Sequence, residues 1–297
     1  MERKAYLLHA LSPLHAGTGH AADVIDLPIA RMKATGIPIV PGSSVKGVLR
    51  DARRPTSGGA NDAKDKWLAT FGPETQNAGD HAGALVVSEA RLLALPVRSF
   101  KGTFAYVTCP LLLRLAQRDL GAAQEHPTRP IPTLQDQQAM VGPQSVIAHG
   151  DRLYLQDLDL TLVTRERSQQ DVKRWTDWLA PLVCGTGAGN DILSKRFAIV
   201  DDDTMSFLWE TATQLDQRVR LNEQTRTVDK GALWLEESLP AETILIGLME
   251  ADRSRRPELL NWPAADVLKF AVPGETALQF GGKATTGHGR CRLLPAA

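Results

Sequence analysis

Cysteines and long apolar runs are scarce in this 297-residue sequence. Its three cysteines, Cys109, Cys184 and Cys291, lie far apart and form no CxxC pair. They indicate neither a disulfide framework nor a structural zinc site, and they fit a reducing compartment. No apolar run approaches the roughly 20 residues that cross a bilayer, and the first residues lack the apolar stretch of a signal peptide. We expect a soluble protein of the cytoplasm without a membrane partner.

Net charge is also absent, since 34 basic residues balance 34 acidic ones. Proteins that coat nucleic acid unaided are usually basic, so a generic DNA-coating role is disfavoured. A balanced total still permits a local basic groove, for example in a subunit that packs against copies of itself. The apolar fraction of 43% is ample for a sizeable core.

The most informative segment that is present is a terminal glycine loop, residues 280–290. It contains four glycines, two threonines and three potentially cationic side chains. Glycine lets the main chain approach a ligand closely and adopt positive φ, which suits a loop that faces an anion. An ordinary tight turn is the alternative. The candidate contacts to a phosphate backbone are Gly281, Gly282, Lys283, Thr285, Thr286, Gly287, His288 and Arg290.

A second anion-friendly segment, residues 41–50, lies near the other end of the chain. Its pattern predicts a turn and then a helix N-terminus capped by Ser43 and Ser44. Lys46 and Arg50 lie four residues apart, on one face of this helix. The four side chains are candidate RNA-binding residues. For the two cations the alternative is a solvated helix charge, and phosphate contact is favoured because the preceding serines and glycines present N–H groups to the same ligand. Two phosphate-competent segments in one chain suggest a polyanionic partner such as RNA.

Strand-like and helix-like segments alternate along the chain without an internal repeat or a convincing linker. Residues 3–10 have a strand pattern, and residues 151–164 have the leucine alternation of one half-buried strand. A first helix is predicted at residues 43–54, and residues 118–142 are interpreted as a surface insertion. The pattern predicts an α+β sandwich, a sheet with helices on one face, in a single elaborated domain over residues 1–297.

Several segments together resemble a known family. They are residues 15–19 (HAGTG), 25–31 (IDLPIAR), 41–47 (PGSSVKG), 95–102 (LPVRSFKG), 108–110 (TCP), 231–237 (GALWLEE) and the terminal glycine loop. They resemble the repeated backbone subunit of type III-B CRISPR effector complexes, the Cmr modules, within the RAMP superfamily. The resemblance runs from about residue 5 to about residue 292, which is nearly the whole chain.

This resemblance implies a fold and partners. The fold would be a ferredoxin-like RNA-recognition core (a modified RRM, the RAMP fold) with large insertions and a protruding β-hairpin thumb. The best candidate for the thumb is a hairpin at about residues 215–235, with its tip within residues 218–226. Copies would stack into a helical filament along a CRISPR guide RNA, together with other Cmr subunits and a complementary target RNA.

The resemblance also implies an aspartate in an N-terminal loop that cuts the paired target RNA. Asp26 occupies that loop, although from the sequence alone it could be a turn residue or a surface acid. His15 could donate a proton or contact the phosphate, or it could be a hydrogen-bonded loop histidine. Asp23 is a weaker candidate, and Glu236 is favoured over Glu237 as an auxiliary acid. Relatives often have an aromatic residue where this chain has Ser238, which argues against a tyrosine-assisted role here.

The expected chemistry is attack by a ribose 2′-OH on the adjacent phosphate, which leaves a cyclic phosphate. A carboxylate is a weak base for such a hydroxyl, so Asp26 is predicted to help hold a divalent ion, Mg or Mn, bound weakly. The predicted function is RNA-guided cleavage of target RNA at regular intervals within the assembled complex. The alternatives are a non-catalytic RNA-binding scaffold of the same complex and a ribonuclease that processes the guide RNA.

Overall fold

The computed structural model describes residues 1–18, 25–56, 61–123, 129–185 and 191–296. The strands are β1 Glu2–Ala10, β2 Ile39–Val40, β3 Leu85–Val87, β4 Ala90–Arg98, β5 Phe104–Thr108, β6 Gln138–Val141, β7 Arg152–Leu155, β8 Leu158–Leu162, β9 Phe197–Val200, β10 Gln214–Leu221, β11 Val228–Ser238, β12 Ile244–Ala251, β13 Thr276–Gln279 and β14 Arg290–Pro295. The helices are α1 Gly42–Ala52, α2 Asn61–Phe71, α3 Pro110–Ala122, α4 Glu166–Cys184, α5 Asp191–Arg196, α6 Asp202–Thr211 and α7 Ala264–Ala271.

Four strands in the order β14-β1-β12-β4 form the centre of the main sheet, and each neighbouring pair is antiparallel. Helices α1 and α2 connect β1 to β4, and α7 connects β12 to β14. Each connection skips over the strand that lies between its two ends, so the chain makes two interleaved split β-α-β units. This is the ferredoxin-like topology, and the predicted core is confirmed.

A long insertion between β4 and β12 extends the same sheet with strands in the order β5-β9-β6-β8-β7. The interpretation of residues 118–142 as a surface insertion is wrong at both ends. Helix α3 continues to Ala122, and the buried strand β6 pairs with both β9 and β8. The single strand predicted at residues 151–164 is a hairpin of β7 and β8, because the chain reverses at Gln156, whose φ is 50°.

Helices cover both faces of the sheet, which corrects the expectation of one covered face. Along β1, Tyr6 and Leu8 contact an apolar cluster with α1, α2, α6 and α7. Ala5 and Leu7 point the other way, into a cluster with α3, α4 and α5. Because successive strand residues point to opposite faces and all four are buried, both faces need an apolar cover. Among the described helices, none is long and apolar enough to cross a membrane.

Candidate active site

Three segments that are distant in the sequence meet at the base of the β10–β11 hairpin. The segment after β1 is bonded to the end of β11, where the Leu14 N–H donates to the Leu239 carbonyl over 2.8 Å. It is bonded to the Asp26 loop through Ala30 N and Ala16 O, 2.7 Å apart, and to the terminal glycine loop through Gly282 N and His15 O, 3.0 Å apart. We define the hairpin-base cluster as the side chains of His15, Asp26, Arg31, Arg218, Glu236, Glu237 and Lys283.

Asp26 is exposed at the edge of this cluster. The next residue, Leu27, lies parallel to β11 and opposite Glu236. The N–H of Leu235 on β11 donates to Oδ2 of Asp26 over 2.8 Å. Within the described residues, Oδ1 has no hydrogen-bond partner. The hairpin backbone therefore orients an exposed carboxylate at the edge of the cluster. Asp23, the weaker candidate, lies outside the described residues.

His15 is buried and held in one tautomer. Its Nδ1 lies 2.7 Å from the carbonyl oxygen of Glu237, which can only accept a hydrogen bond. Nδ1 therefore carries the hydrogen, and Nε2 of the neutral ring keeps its lone pair. A Cβ at Gly17 would lie only 2.6 Å from Nε2, so a glycine there lets the backbone pass over this nitrogen. The nitrogen with the lone pair, Nε2, therefore lies on the side of the His15 ring that faces Gly17.

Glu236 faces the terminal glycine loop and is saturated with donors. Its Oε1 accepts from the Lys283 ammonium over 2.7 Å and from the Trp234 indole over 2.8 Å, and Oε2 lies 3.4 Å from Nε of Arg218. Burial alone would raise the pKa of Glu236, but the hydrogen bonds from Lys283 and Trp234 and the two cations outweigh it and lower the pKa. An ionised carboxylate with these partners is suited to hold the Lys283 and Arg218 side chains in place. A catalytic role of Glu236 stays a prediction.

Glu237 faces the Asp26 loop, on the opposite side of β11. Its carboxylate accepts from the Ile29 N–H over 3.0 Å and from the Arg31 guanidinium over 2.6 Å. Sequence reasoning passes over Arg31 as a functional residue and ranks Glu237 below Glu236. The available signal is a single charge in the otherwise apolar run from Ile29 to Met32, but nothing in a sequence pairs two residues that are 206 positions apart.

The candidate RNA contacts in the terminal glycine loop divide into two groups. Lys283 is bonded to Glu236, and His288 is buried beside Arg218 with 3.5 Å between His288 Nε2 and an Arg218 guanidinium nitrogen. The exposed members are Gly281, Gly282, Thr285, Thr286, Gly287 and Arg290. A phosphate approaching this loop would therefore meet backbone, hydroxyl groups and Arg290 before it met Lys283 and His288.

The predicted serine capping of α1 is wrong. The helix begins at Gly42, and the preceding Pro41 makes no side-chain capping bond. Ser43 and Ser44 lie inside the first turn and are exposed. The first N–H groups of a helix have no acceptor within it, so this end still presents donors and the positive end of the helix dipole to solvent.

Lys46 and Arg50 serve the protein itself. The Lys46 ammonium donates to the Leu85 carbonyl over 2.7 Å, and burial lowers its pKa, with the nearby Arg50 charge adding to this effect. The Arg50 guanidinium stacks 4.3 Å from the centre of the Trp67 ring. It also donates to carbonyl oxygens 3.0 to 3.2 Å away, those of Phe71, Gly72 and Pro73. In the part of the chain that the structure describes, no hydrogen bond or ion pair joins residues 41–50 to the hairpin-base cluster.

A divalent ion would find few protein ligands at this site. Among the described residues, no group of three or more histidine, cysteine, aspartate or glutamate side chains is placed to hold a metal. Asp26 offers one exposed carboxylate oxygen. Mg²⁺ is often bound by one or two carboxylates together with substrate phosphates. This donor set fits an ion shared with a bound phosphodiester, and it does not fit a protein cage.

Comparison with known proteins identifies the family. The sequence profile of the RAMP superfamily matches residues 7–292. The chain belongs to the RAMP superfamily. Within the RAMP proteins, it is 33% identical over 299 residues to the CRISPR system Cmr endoribonuclease Cmr4 of Pyrococcus furiosus, covering 96% of this chain and 94% of that relative.

Solved RAMP structures agree with this assignment. The crystal structure of oligomeric Cmr4 from Pyrococcus furiosus superposes with a TM-score of 0.72 at 26% identity, over 98% of this chain and 97% of that one. A cryo-EM structure of the type III-B Cmr-beta bound to cognate target RNA gives a TM-score of 0.75 at 18% identity, over 100% and 98% of the two chains, which shows the fold. The resemblance to the type III-B backbone subunit is confirmed.

Proposed function

We propose that this RAMP protein is the guide-RNA-binding backbone subunit of a type III-B CRISPR effector complex and cleaves complementary target RNA at regular intervals. The observation that carries the proposal is the placement of Asp26. Its exposed carboxylate is hydrogen-bonded to a strand of the protruding hairpin, next to a histidine-bearing segment and the terminal glycine loop. The 33% identity to a named Cmr endoribonuclease over nearly the whole chain supports the same activity.

The proposed reaction is attack of a target-RNA 2′-OH on its own 3′ phosphate, with cleavage of the bond to the 5′ oxygen of the next nucleotide. Asp26, oriented by the Leu235 N–H, would hold a weakly bound Mg or Mn ion through its free oxygen. Such an ion, when bound, lowers the pKa of the attacking hydroxyl and offsets the phosphate charge. His15 Nε2, which has a lone pair in the neutral tautomer, is suited to take the hydroxyl proton, and the departing 5′ oxygen would take its proton from solvent water.

Guide RNA would lie against the exposed donors of the terminal glycine loop and the first turn of α1, at Ser43 and Ser44. The β10–β11 hairpin would act as the thumb that separates successive target segments. Copies of the chain would stack along the guide with other Cmr subunits, and one relative is described as oligomeric Cmr4. We place this assembly in the cytoplasm. Base pairing, rather than the protein, would supply the sequence specificity.

The test uses a reconstituted complex with guide RNA and end-labelled complementary target RNA, with and without EDTA. We expect a ladder of evenly spaced products that needs the metal. Asp26→Asn keeps the side-chain shape and an acceptor for the Leu235 N–H, so binding should persist while cleavage falls at least about 100-fold. Glu166→Ala, which removes an exposed acid at the start of α4, is the matched control and should leave the ladder intact.

Other outcomes assign the alternative functions. Target binding without any ladder from the wild-type complex would identify a scaffold subunit. Cutting of guide precursor by the lone subunit would identify a processing ribonuclease. A ladder that is unchanged in Asp26→Asn would remove Asp26 from the reaction.

A further inference from the structure

Glu237 contacts the segments of both candidate catalytic residues. Its N–H donates to the Leu27 carbonyl over 3.0 Å, and its own carbonyl accepts from His15 Nδ1 over 2.7 Å. Its carboxylate accepts from the Ile29 N–H and from Arg31. Glu237 therefore holds the His15 ring through its main-chain carbonyl. It holds the loop that follows Asp26 through both its main-chain N–H and its side chain.

Arg31 extends this connection to the other strand of the hairpin. One guanidinium nitrogen donates to Glu237 and to the Trp209 carbonyl, 3.0 Å away, at the end of α6. The other nitrogen donates to the Gly36 carbonyl over 3.2 Å and lies 3.4 Å from the Glu210 carboxylate. Helix α6 ends at Thr211 and β10 begins at Gln214. The guanidinium therefore links the Asp26 loop to the end of α6, which precedes β10, and, through Glu237, to the end of β11.

We propose that Glu237 and Arg31 are positioning residues for the cleavage reaction, an inference that rests on the proposed function. The Glu237 side chain is only 2% exposed, so loss of Arg31 would leave a buried carboxylate without its ion-pair partner. Asp26 itself has one hydrogen bond among the described residues, which leaves its placement to the loop. Glu237 contacts both that loop and the His15 ring. Glu237 and Arg31 therefore set the distance between the Asp26 carboxylate and the His15 ring, and they tie both groups to the hairpin.

The test compares two substitutions in the assembled complex. Glu237→Gln keeps the size of the side chain and an acceptor for the Ile29 N–H, but it gives up the charge opposite Arg31. Glu237→Ala removes both side-chain contacts and leaves the main-chain bonds to Leu27 and His15. A displacement of about 1 Å at a reacting group can cost roughly 100-fold in rate. We expect single-turnover cleavage to fall about 10-fold in Glu237→Gln and about 100-fold in Glu237→Ala.

A purely structural role of Glu237 would appear as weaker target-RNA binding or a lower melting temperature, and not as a specific loss of cleavage rate. We expect the target-RNA dissociation constant to stay within about twofold of the wild-type value, because base pairing dominates target binding. The ladder spacing should stay unchanged, because the repeat of the stacked subunits sets it. The matched control is Asp119→Asn, which disrupts another buried carboxylate–arginine pair, with Arg91, between α3 and β4. This control should lower the melting temperature and leave the cleavage rate at the wild-type level.

The outcomes separate this inference from the proposed function. A wild-type complex that makes no ladder contradicts the proposed function. A wild-type complex that depends on Asp26, combined with Glu237→Ala at the wild-type rate, overturns the positioning role alone. A loss of rate that Asp119→Asn reproduces, or that a matching loss of target binding explains, also overturns it. If Glu237→Ala does not assemble, the cleavage rates of Glu237→Gln and Arg31→Lys test the positioning role instead. Arg31→Lys is informative because it keeps the positive charge but cannot make the branched contacts to Trp209 and Gly36.

Discussion

The hairpin-base cluster and the α1 segment at residues 41–50 both have the composition of phosphate-binding loops, yet they use their cations differently. At the hairpin base, each long cation contacts a carboxylate: Lys283 and Arg218 contact Glu236, and Arg31 contacts Glu237. In the α1 segment, Lys46 and Arg50 are bonded to backbone carbonyls. Within the described residues, neither of these two has a carboxylate within ion-pair distance. One region pairs its cations with carboxylates, and in the other, within the described residues, no ion pair holds Lys46 or Arg50.

This difference suggests a division of labour. Paired charges fix geometry while their fields largely cancel, which suits a site where reacting groups must be held in place. Unpaired positive charge beside free helix N–H groups raises the local phosphate concentration and contributes sequence-independent, salt-dependent affinity. We therefore expect changes at the hairpin base to act mainly on cleavage and stability, and changes in the α1 segment to act mainly on RNA binding.

The largest predicted difference comes from the same substitution made in each region. Gly281 has φ of +70°, and a Cβ there would collide with the His15 carbonyl oxygen. Gly281→Ala should therefore lower the free energy of unfolding by about 2–3 kcal/mol. Gly47 lies inside α1, and a Cβ there would meet no neighbouring atom within 4 Å. Gly47→Ala should raise the free energy of unfolding by about 0.5–1 kcal/mol. Denaturant titration of the two variants measures both.

Equal effects of the two substitutions would break the comparison. If Gly281→Ala were neutral, the close packing of the terminal glycine loop against the His15 segment would not exist in solution. A matching fall in Gly47→Ala would mean that α1 carries a tertiary contact at that position, which would contradict the open space beside it.

The elements that could be predicted from the sequence are those with a strong local pattern. β1 and α1 are predicted within two residues, since apolar periodicity and Pro55 define them. β14 is not predicted, because Arg290 and Arg292 interrupt its apolar residues. The composition of the terminal glycine loop indicates its place near a ligand site. The composition cannot reveal that Lys283 is held by Glu236, 47 residues earlier, since only the fold brings the two together.

The same limit explains which site residues escape prediction. Asp26 and His15 are suggested by a family resemblance that spans nearly the whole chain. Glu237 looks like its neighbour Glu236 in the sequence, and strand alternation predicts only that the two face opposite sides. Which of those sides contains the Asp26 loop depends on the pairing of Leu27 with β11, a contact between distant segments. A local pattern contains no information about such a pairing.

Acid should weaken the hairpin base and leave the α1 segment unaffected. Because the folded-state pKa of Glu236 is lowered, its contribution to stability is fully present above the unfolded-state value and is lost as the pH falls through the folded-state value. At neutral pH, Glu236→Gln should lower the melting temperature by roughly 2–4 °C, equivalent to about 1 kcal/mol. As the pH falls through the lowered folded-state pKa, the difference between wild type and variant should shrink, because Glu236 then becomes neutral like the glutamine.

The matched control for this pH dependence is Lys46→Met. Burial and the Arg50 charge lower the Lys46 pKa, and any consequence of that shift falls on the alkaline side. The difference between wild type and Lys46→Met should therefore be the same at pH values of about 7 and about 3. A Glu236→Gln difference that is equally constant would show that the glutamate charge is not what holds Lys283 and Arg218 in place.

The smallest predicted effect has opposite signs in two measurements. Ser43→Asp introduces a negative charge in the first turn of α1, where it should raise the free energy of unfolding by about 0.5 kcal/mol through the helix dipole. The same charge should repel a phosphate at the free N–H groups and weaken guide-RNA binding several-fold, with the loss growing at low salt. Because the variant is more stable, unfolding cannot explain weaker binding. Thermal unfolding and RNA titration at two salt concentrations measure the two effects, and unchanged affinity would place the guide away from this helix end.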